Sequence, residues 1–254
     1  MTALLDAVRP SPSAAHPATH PAANPAAHPA RSAWDPCAAA HKALRHALSR
    51  QLQTLGRLDV SDAASVRSAM QRLQRLLDVL DGHRRADCEV WLPALAARQP
   101  GLVDGALQDH LDDLARTAGI QRLAHELMQA QPAQAAAALQ RLQRAFEQQV
   151  AQQLQMMARE EQLLAPLRDV LFDAAQRRQL ARRAQALLPP WERLDLALLM
   201  ADALNTDELA LMLHELQDGL APEAWVQLAI AVRGRVGPRW PQLAAASAAL
   251  QARA

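Results

Sequence analysis

Tyrosine is absent from this chain of 254 residues, phenylalanine occurs twice and glycine eight times. Sheets draw on β-branched and aromatic residues, so a strand-rich fold is excluded. The two cysteines, Cys37 and Cys88, are too few for a disulfide framework and form no CxxC metal or redox motif. Neither sign of charge is in excess: 27 basic and 26 acidic residues leave a formal charge of +1. That balance gives no electrostatic ground for nucleic acid or an anionic membrane as a partner. No apolar run reaches the roughly 18 residues of a membrane span, and the start, MTALLDAVRPSPS, lacks the basic and apolar regions of a secretory signal. Walker, GxGxxG and HExxH motifs are missing. What remains is rich in Ala, Leu, Gln and Arg, which are strong helix formers. An all-α cytoplasmic protein with no nucleic-acid and no membrane partner is expected.

Residues 1–33 repeat His-Pro-Ala, and closely spaced prolines remove the donors a helix needs. They read as a disordered Pro/Ala/His-rich tail. From Trp34 onward the pattern is helical. Asp35 followed by Pro36 caps a first helix that runs to Leu55. Ser61 or Asp62 caps a second, whose stripe is Val66, Met70, Leu73, Leu77 and Leu80, ending near Leu92 before Pro93. A third follows Pro100-Gly101, with Leu107, Leu111, Leu114 and Leu123 on its core face and an interruption at Thr117–Gly119. Pro132 opens a fourth, with Leu139, Leu142, Phe146, Val150 and Leu154 inward, reaching Ala165. Short connections favour antiparallel neighbours, so residues 34–168 read as an up-down-up-down four-helix bundle. After the Pro189-Pro190 break, Trp191–Leu204, Asp207–Leu216 (capped by Thr206), Glu223–Val232 and residues 242–252 read as shorter helices. Residues 169–254 thus form a small C-terminal helical appendage.

Two stretches echo one another. HRRADCEVWLP runs from His83 to Pro93 and MMAREEQLLAP from Met156 to Pro166, which aligns Asp87 with Glu160. A spacing of four residues turns about 400°, so His83 and Asp87 share one helical face. His41 lies early in the first helix and His110 early in the third. In an antiparallel bundle those positions are level with the late residues of the second and fourth helices. His41, His83, Asp87, His110 and Glu160 therefore fall in one layer. Three imidazoles and two carboxylates are costly to bury without a partner. A metal ion is the natural one, and mixed nitrogen and oxygen donors suit iron, manganese or zinc.

With HKALR at 41–45, HxxxD leading to WLP at 83–93, DHLDDL at 109–114 and EEQLLAPL at 160–167, the chain resembles the hemerythrin-like (HHE cation-binding) family over residues 35–168. The resemblance implies a four-helix bundle holding one or two non-haem iron ions, with His41, His83 and His110 as nitrogen ligands and Asp87 and Glu160 as bridging or terminal carboxylates. It implies binding or sensing of oxygen, nitric oxide or iron rather than turnover, so no catalytic residue is assigned. Peroxide is a further small ligand that an open coordination position admits. Two positions depart from the family pattern. Asp87 stands where Glu is usual, and Met156, a poor ligand for iron, stands where a fourth-helix histidine is usual. An alternative follows from Met156: a metal-free scaffold that contacts a protein partner through its C-terminal helices.

The remaining polar residues read as solvated or as packing. His46, His125 and His214 belong on the surface, as do Glu89, Asp112, Asp113 and Glu161, the last pointing away from Glu160. Cys37 and Cys88 read as free thiols, and Met156 and Met157 as core. The basic patch of Arg177, Arg178, Arg182 and Arg183 is a solvated face. Trp191, Trp225 and Trp240 are packing anchors.

Overall fold

The computed structural model describes residues 35–251, and among them there is no strand. The tail expected over 1–33 lies outside the described residues. Helices follow in the order α1 (Pro36–Gly56), α2 (Ala63–Ala86), α3 (Leu92–Arg98), α4 (Asp104–Gln129), α5 (Pro132–Arg159), α6 (Ala165–Leu171), α7 (Ala174–Ala186), α8 (Pro190–Ala203), α9 (Thr206–Gly219), α10 (Pro222–Val236) and α11 (Trp240–Gln251). Two π-helical turns, Asp87–Trp91 and Glu160–Leu164, join α2 to α3 and α5 to α6. No helix among the described residues is long and apolar enough to cross a membrane.

Local chemistry sets the helix starts. The Asp35 carboxylate accepts from the backbone N–H of Cys37 (2.9 Å) and Ala38 (3.3 Å), and Pro36 needs no partner for its missing donor. Asp62, rather than Ser61, caps α2 through the N–H groups of Ala64 and Ser65. At α9 the cap is Asn205, not Thr206, in a reciprocal box with Glu208.

Helices α1, α2, α4 and α5 share one core, centred on Leu44, Leu48, Leu73, Leu77, Ile120, Leu142 and Phe146. Each such side chain stabilises the fold by roughly 1.5–3 kcal/mol on burial. The expected α2 stripe is buried throughout, and on α5 so are Leu139, Leu142, Phe146 and Val150. Other positions differ. Leu107, Leu111 and Leu114 of α4 are exposed (Leu111 by 62%), as is Leu154 of α5. In α4 the inward positions go to His110, Asp113, Ile120 and Leu127 instead. Nor does α4 break at Thr117–Gly119, because packing against α5 along its length outweighs the local cost of glycine.

The C-terminal helices are not set apart from the first four. Ala39, Ala40 and Ala43 of α1 lie in a second core with Ala197, Met200 and Ala201 of α8 and residues of α9–α11. Gly82 of α2 permits a close approach: a Cβ there would come within 2.8 Å of Leu188 and 2.9 Å of Glu192. A third core joins Val90, Trp91, Leu92 and Leu164 to Leu180 and Ala184 of α7. The boundary expected at 168/169 therefore falls inside α6. The Arg-rich stretch is the helix α7, opened by an Asp173–Gln176 capping box. Trp191 is half exposed rather than a packing anchor, whereas Trp225 and Trp240 lie against the second core.

Candidate metal centre

Along α2 the first core ends at Leu80 and the third begins at Val90; along α5 the limits are Met157 and Leu164. His83, Asp87 and Glu160 occupy the intervals. Each carboxylate opens a π-helical turn, and a proline follows six residues later, Pro93 or Pro166. A proline inside a helix lacks the N–H for the residue four back and crowds that carbonyl. Here the chain absorbs the misfit by inserting a residue: Leu92 N–H bonds to Asp87 O and Ala165 N–H to Glu160 O, five back in each case. The expected helix ends at Leu92 and Ala165 are thus passed by helical chain.

All five residues of the expected layer converge. His41 Nε2 lies 3.1 Å from His83 Nε2 and 3.0 Å from Glu160 Oε2. His83 Nε2 lies 3.3 Å from Asp87 Oδ2 and 3.7 Å from Glu160 Oε2. His110 Nε2 faces the other oxygen, Glu160 Oε1, at 3.6 Å. Two triads result, His41/His83/Glu160 and Asp87/His110/Glu160, each with its donor atoms within 4.8 Å of one another. Glu160 belongs to both. His41 is wholly buried, and Asp87, His110 and Glu160 are buried.

The electrostatics are those of a crowded ionic pocket. Burial alone lowers the pKa of His41, but the Cys37 thiol and the Glu160 carboxylate outweigh it and push the pKa up to about 11. For His83, burial is likewise opposed by Asp87 and Glu160, which bring its pKa to about 9. Burial pushes Glu160 up, yet the adjacent His41 and His83 hold it well below the usual carboxylate range. Asp87 moves the other way: burial raises it, reinforced by Glu160 and opposed by His83.

This donor set could hold a cation. His41 Nε2 has three close neighbours, His83 Nε2, Glu160 Oε2 and Cys37 Sγ (3.7 Å), and a single N–H cannot serve them all. Asp87 Oδ2 and Glu160 Oε2 are buried next to imidazole nitrogens but lack aligned hydrogen bonds. Such orphans are costly unless something else satisfies them. Several nitrogen and oxygen donors that converge with more lone pairs than protons between them are the arrangement that a coordinated ion requires.

No protein-family model, curated protein or solved structure matches this chain.

Several neighbours of the centre depart from the sequence expectation. Glu161 is half-buried rather than solvated: its Oε1 lies 2.9 Å from His41 Nδ1, and Arg45 grips both its oxygens at 2.8 and 2.9 Å. Two consecutive glutamates thus address the two nitrogens of one imidazole, which the wide π-helical turn permits. Asp113 is buried, one turn along α4 from His110, and accepts from the amides of Gln149 (2.5 Å) and Gln153 (2.7 Å). Those glutamines occupy core positions of α5 that are level with the polar face of α4. Arg168 of α6 is also buried, stacked 5.0 Å over Trp91 with Nη2 donating to Cys37 Sγ at 3.4 Å. Cys37 and Cys88 are both free, and burial pushes the Cys88 thiol up. Met156 and Met157 are buried, and His46, His125, Glu89 and Asp112 are exposed.

Proposed function

We propose that the chain is a hemerythrin-like protein that holds one or two non-haem iron ions between α1, α2, α4 and α5. Its role is to bind or sense oxygen, nitric oxide or iron itself in the cytoplasm, without turnover. In this reading the four helices run up-down-up-down. That is supported by the meeting of residues early in α1 and α4 with residues at the ends of α2 and α5. One observation carries the reading above all others: Glu160 is shared by two triads, buried except for the partly exposed His83, with Oε2 on the His41/His83 side and Oε1 on the His110 side. A purely structural bundle gains by replacing such groups with apolar ones.

His41, His83 and His110 would supply nitrogen donors, Asp87 and Glu160 oxygen donors. Bound iron supplies a Lewis-acidic, redox-active centre for a small diatomic ligand. Met156, buried at the fourth-helix position where the family pattern has a histidine, would offer only a thioether and so leave one coordination position open. Ligands drawn from separate helices couple occupancy to folding. Anaerobic titration of the metal-free protein with iron(II), followed by thermal melting and elemental analysis, tests this. A raised melting temperature with bound iron is expected; no shift together with no metal removes the proposal.

A metal-free scaffold is the second reading. It is favoured by Met156 and by the exposure of Trp191, Val226 and Ile230 on α8 and α10. Partner capture that needs those helices but is unaffected by His83→Ala decides for it.

A further inference from the structure

The imidazole of His41 is held from both sides, and that of His110 is not. His41 Nδ1 meets Glu161 Oε1 at 2.9 Å, whereas His110 Nδ1 is buried without a partner. Arg45, one turn after His41 on α1, closes a fork on Glu161 with Nη1 on Oε1 and Nη2 on Oε2. About a third of each side chain, Arg45 and Glu161, is exposed, while His41 is 0% exposed. The fork therefore connects a wholly buried ring to the surface.

We propose that Glu161, braced by Arg45, is a positioning residue for the candidate centre: it accepts the Nδ1 proton of His41 and so leaves Nε2 as the nitrogen that faces Glu160 and His83. This rests on the metal-binding reading and extends it by naming the residue pair that tunes one ligand. An imidazole whose Nδ1–H donates to a carboxylate is fixed in tautomer and orientation and is the more basic at its other nitrogen. The bidentate arginine keeps that carboxylate anionic and stops it rotating. A bare surface ion pair between α1 and the chain after α5 does not account for the arrangement. Both carboxylate oxygens are already used by Arg45, yet Oε1 is also turned onto the buried Nδ1 of His41.

Cobalt(II) binding to the full-length protein tests the idea, with the visible ligand-field spectrum and calorimetry as readouts. Loss of such an outer partner weakens metal affinity roughly 10–100-fold. Glu161→Ala is expected to show that loss, Glu161→Gln, which keeps an acceptor oxygen, a smaller one, and Arg45→Ala the smallest. A merely structural role predicts no such order. In the metal-free protein, a slowly exchanging His41 Nδ1–H resonance should be present in the wild type and in Glu161→Gln and absent in Glu161→Ala. If the wild type binds cobalt and Glu161→Ala binds it equally well, the positioning role is wrong and the metal reading stands. If the wild type binds none, the metal reading fails, and a missing resonance in the wild type overturns the positioning role as well.

Discussion

Glutamine in place of Glu160 changes one atom type at the point where both triads meet. Without metal, the carboxylate lies 3.0 Å from His41 Nε2 and 3.7 Å from His83 Nε2 and offsets the positive charge held by that imidazole pair. Removing one partner from a buried ionic cluster costs about 3–5 kcal/mol, less whatever the imidazoles recover by losing protons. At roughly 2–4 °C per kcal/mol for a chain of this size, the melting temperature should fall by about 6–20 °C. The second effect concerns the ion. Metal at 100 times its dissociation constant stabilises the folded state by about 2.7 kcal/mol, or about 5–11 °C. Glu160→Gln should remove most of that rise, because the shared carboxylate loses its charge and one triad faces an amide NH2, which cannot ligate, in place of an oxygen. Melting curves of both proteins, with and without iron(II), measure both quantities. A metal-dependent rise of full size in Glu160→Gln would refute the shared-ligand reasoning.

Acidity gives a second test with opposite slopes. His41 and His83 hold protons more tightly when folded, with pKa values of about 11 and about 9 against about 6.5 in the unfolded chain. Their contribution to the metal-free protein is complete below about pH 6.5 and is lost as pH rises toward 9 and beyond. The raised pKa of Asp87 acts in the same direction, while the depressed Glu160 withdraws its contribution only in acid. Metal must displace those protons, so the stabilisation it confers should grow over the same interval; denaturant midpoints at pH 6.5 and 9, with and without metal, compare the two. For packing, Phe146→Ala should cost about 3–5 kcal/mol, whereas Leu111→Glu should stay within about 0.5 kcal/mol, both read from urea unfolding. Asp113→Ala strands the amide donors of Gln149 and Gln153 and should cost about 1–3 kcal/mol for each donor left unpaired; Asp113→Asn, which keeps an acceptor, should cost less.

The helical class and the five-residue layer were legible because each rests on spacing. His83 and Asp87 lie four apart, and the matched prolines mark equivalent levels on two helices. The orientation of α4 was not legible. Its leucines at 107, 111 and 114 have the spacing of a core stripe, yet they face outward because His110 and Asp113 take the inward face. What makes that tolerable is a pair of glutamines on α5, distant in sequence and silent in any periodicity. Glu161 was misplaced for a related reason: constant helical rotation turns it away from the centre, and the π-helical turn beginning at Glu160 breaks that rotation. The prolines at 93 and 166 were the available signal for both turns, had they been read as widening a helix rather than ending it. The Asp173–Gln176 box likewise marked α7 in the sequence.

Anomalous diffraction at the iron edge, from crystals of the protein loaded anaerobically with iron(II), tests the metal centre most directly. The account predicts an anomalous peak at coordination distance from Glu160 and from the donors of at least one triad, His41/His83 or Asp87/His110. Crystals in which those five side chains stay converged while no anomalous peak lies between them would contradict it.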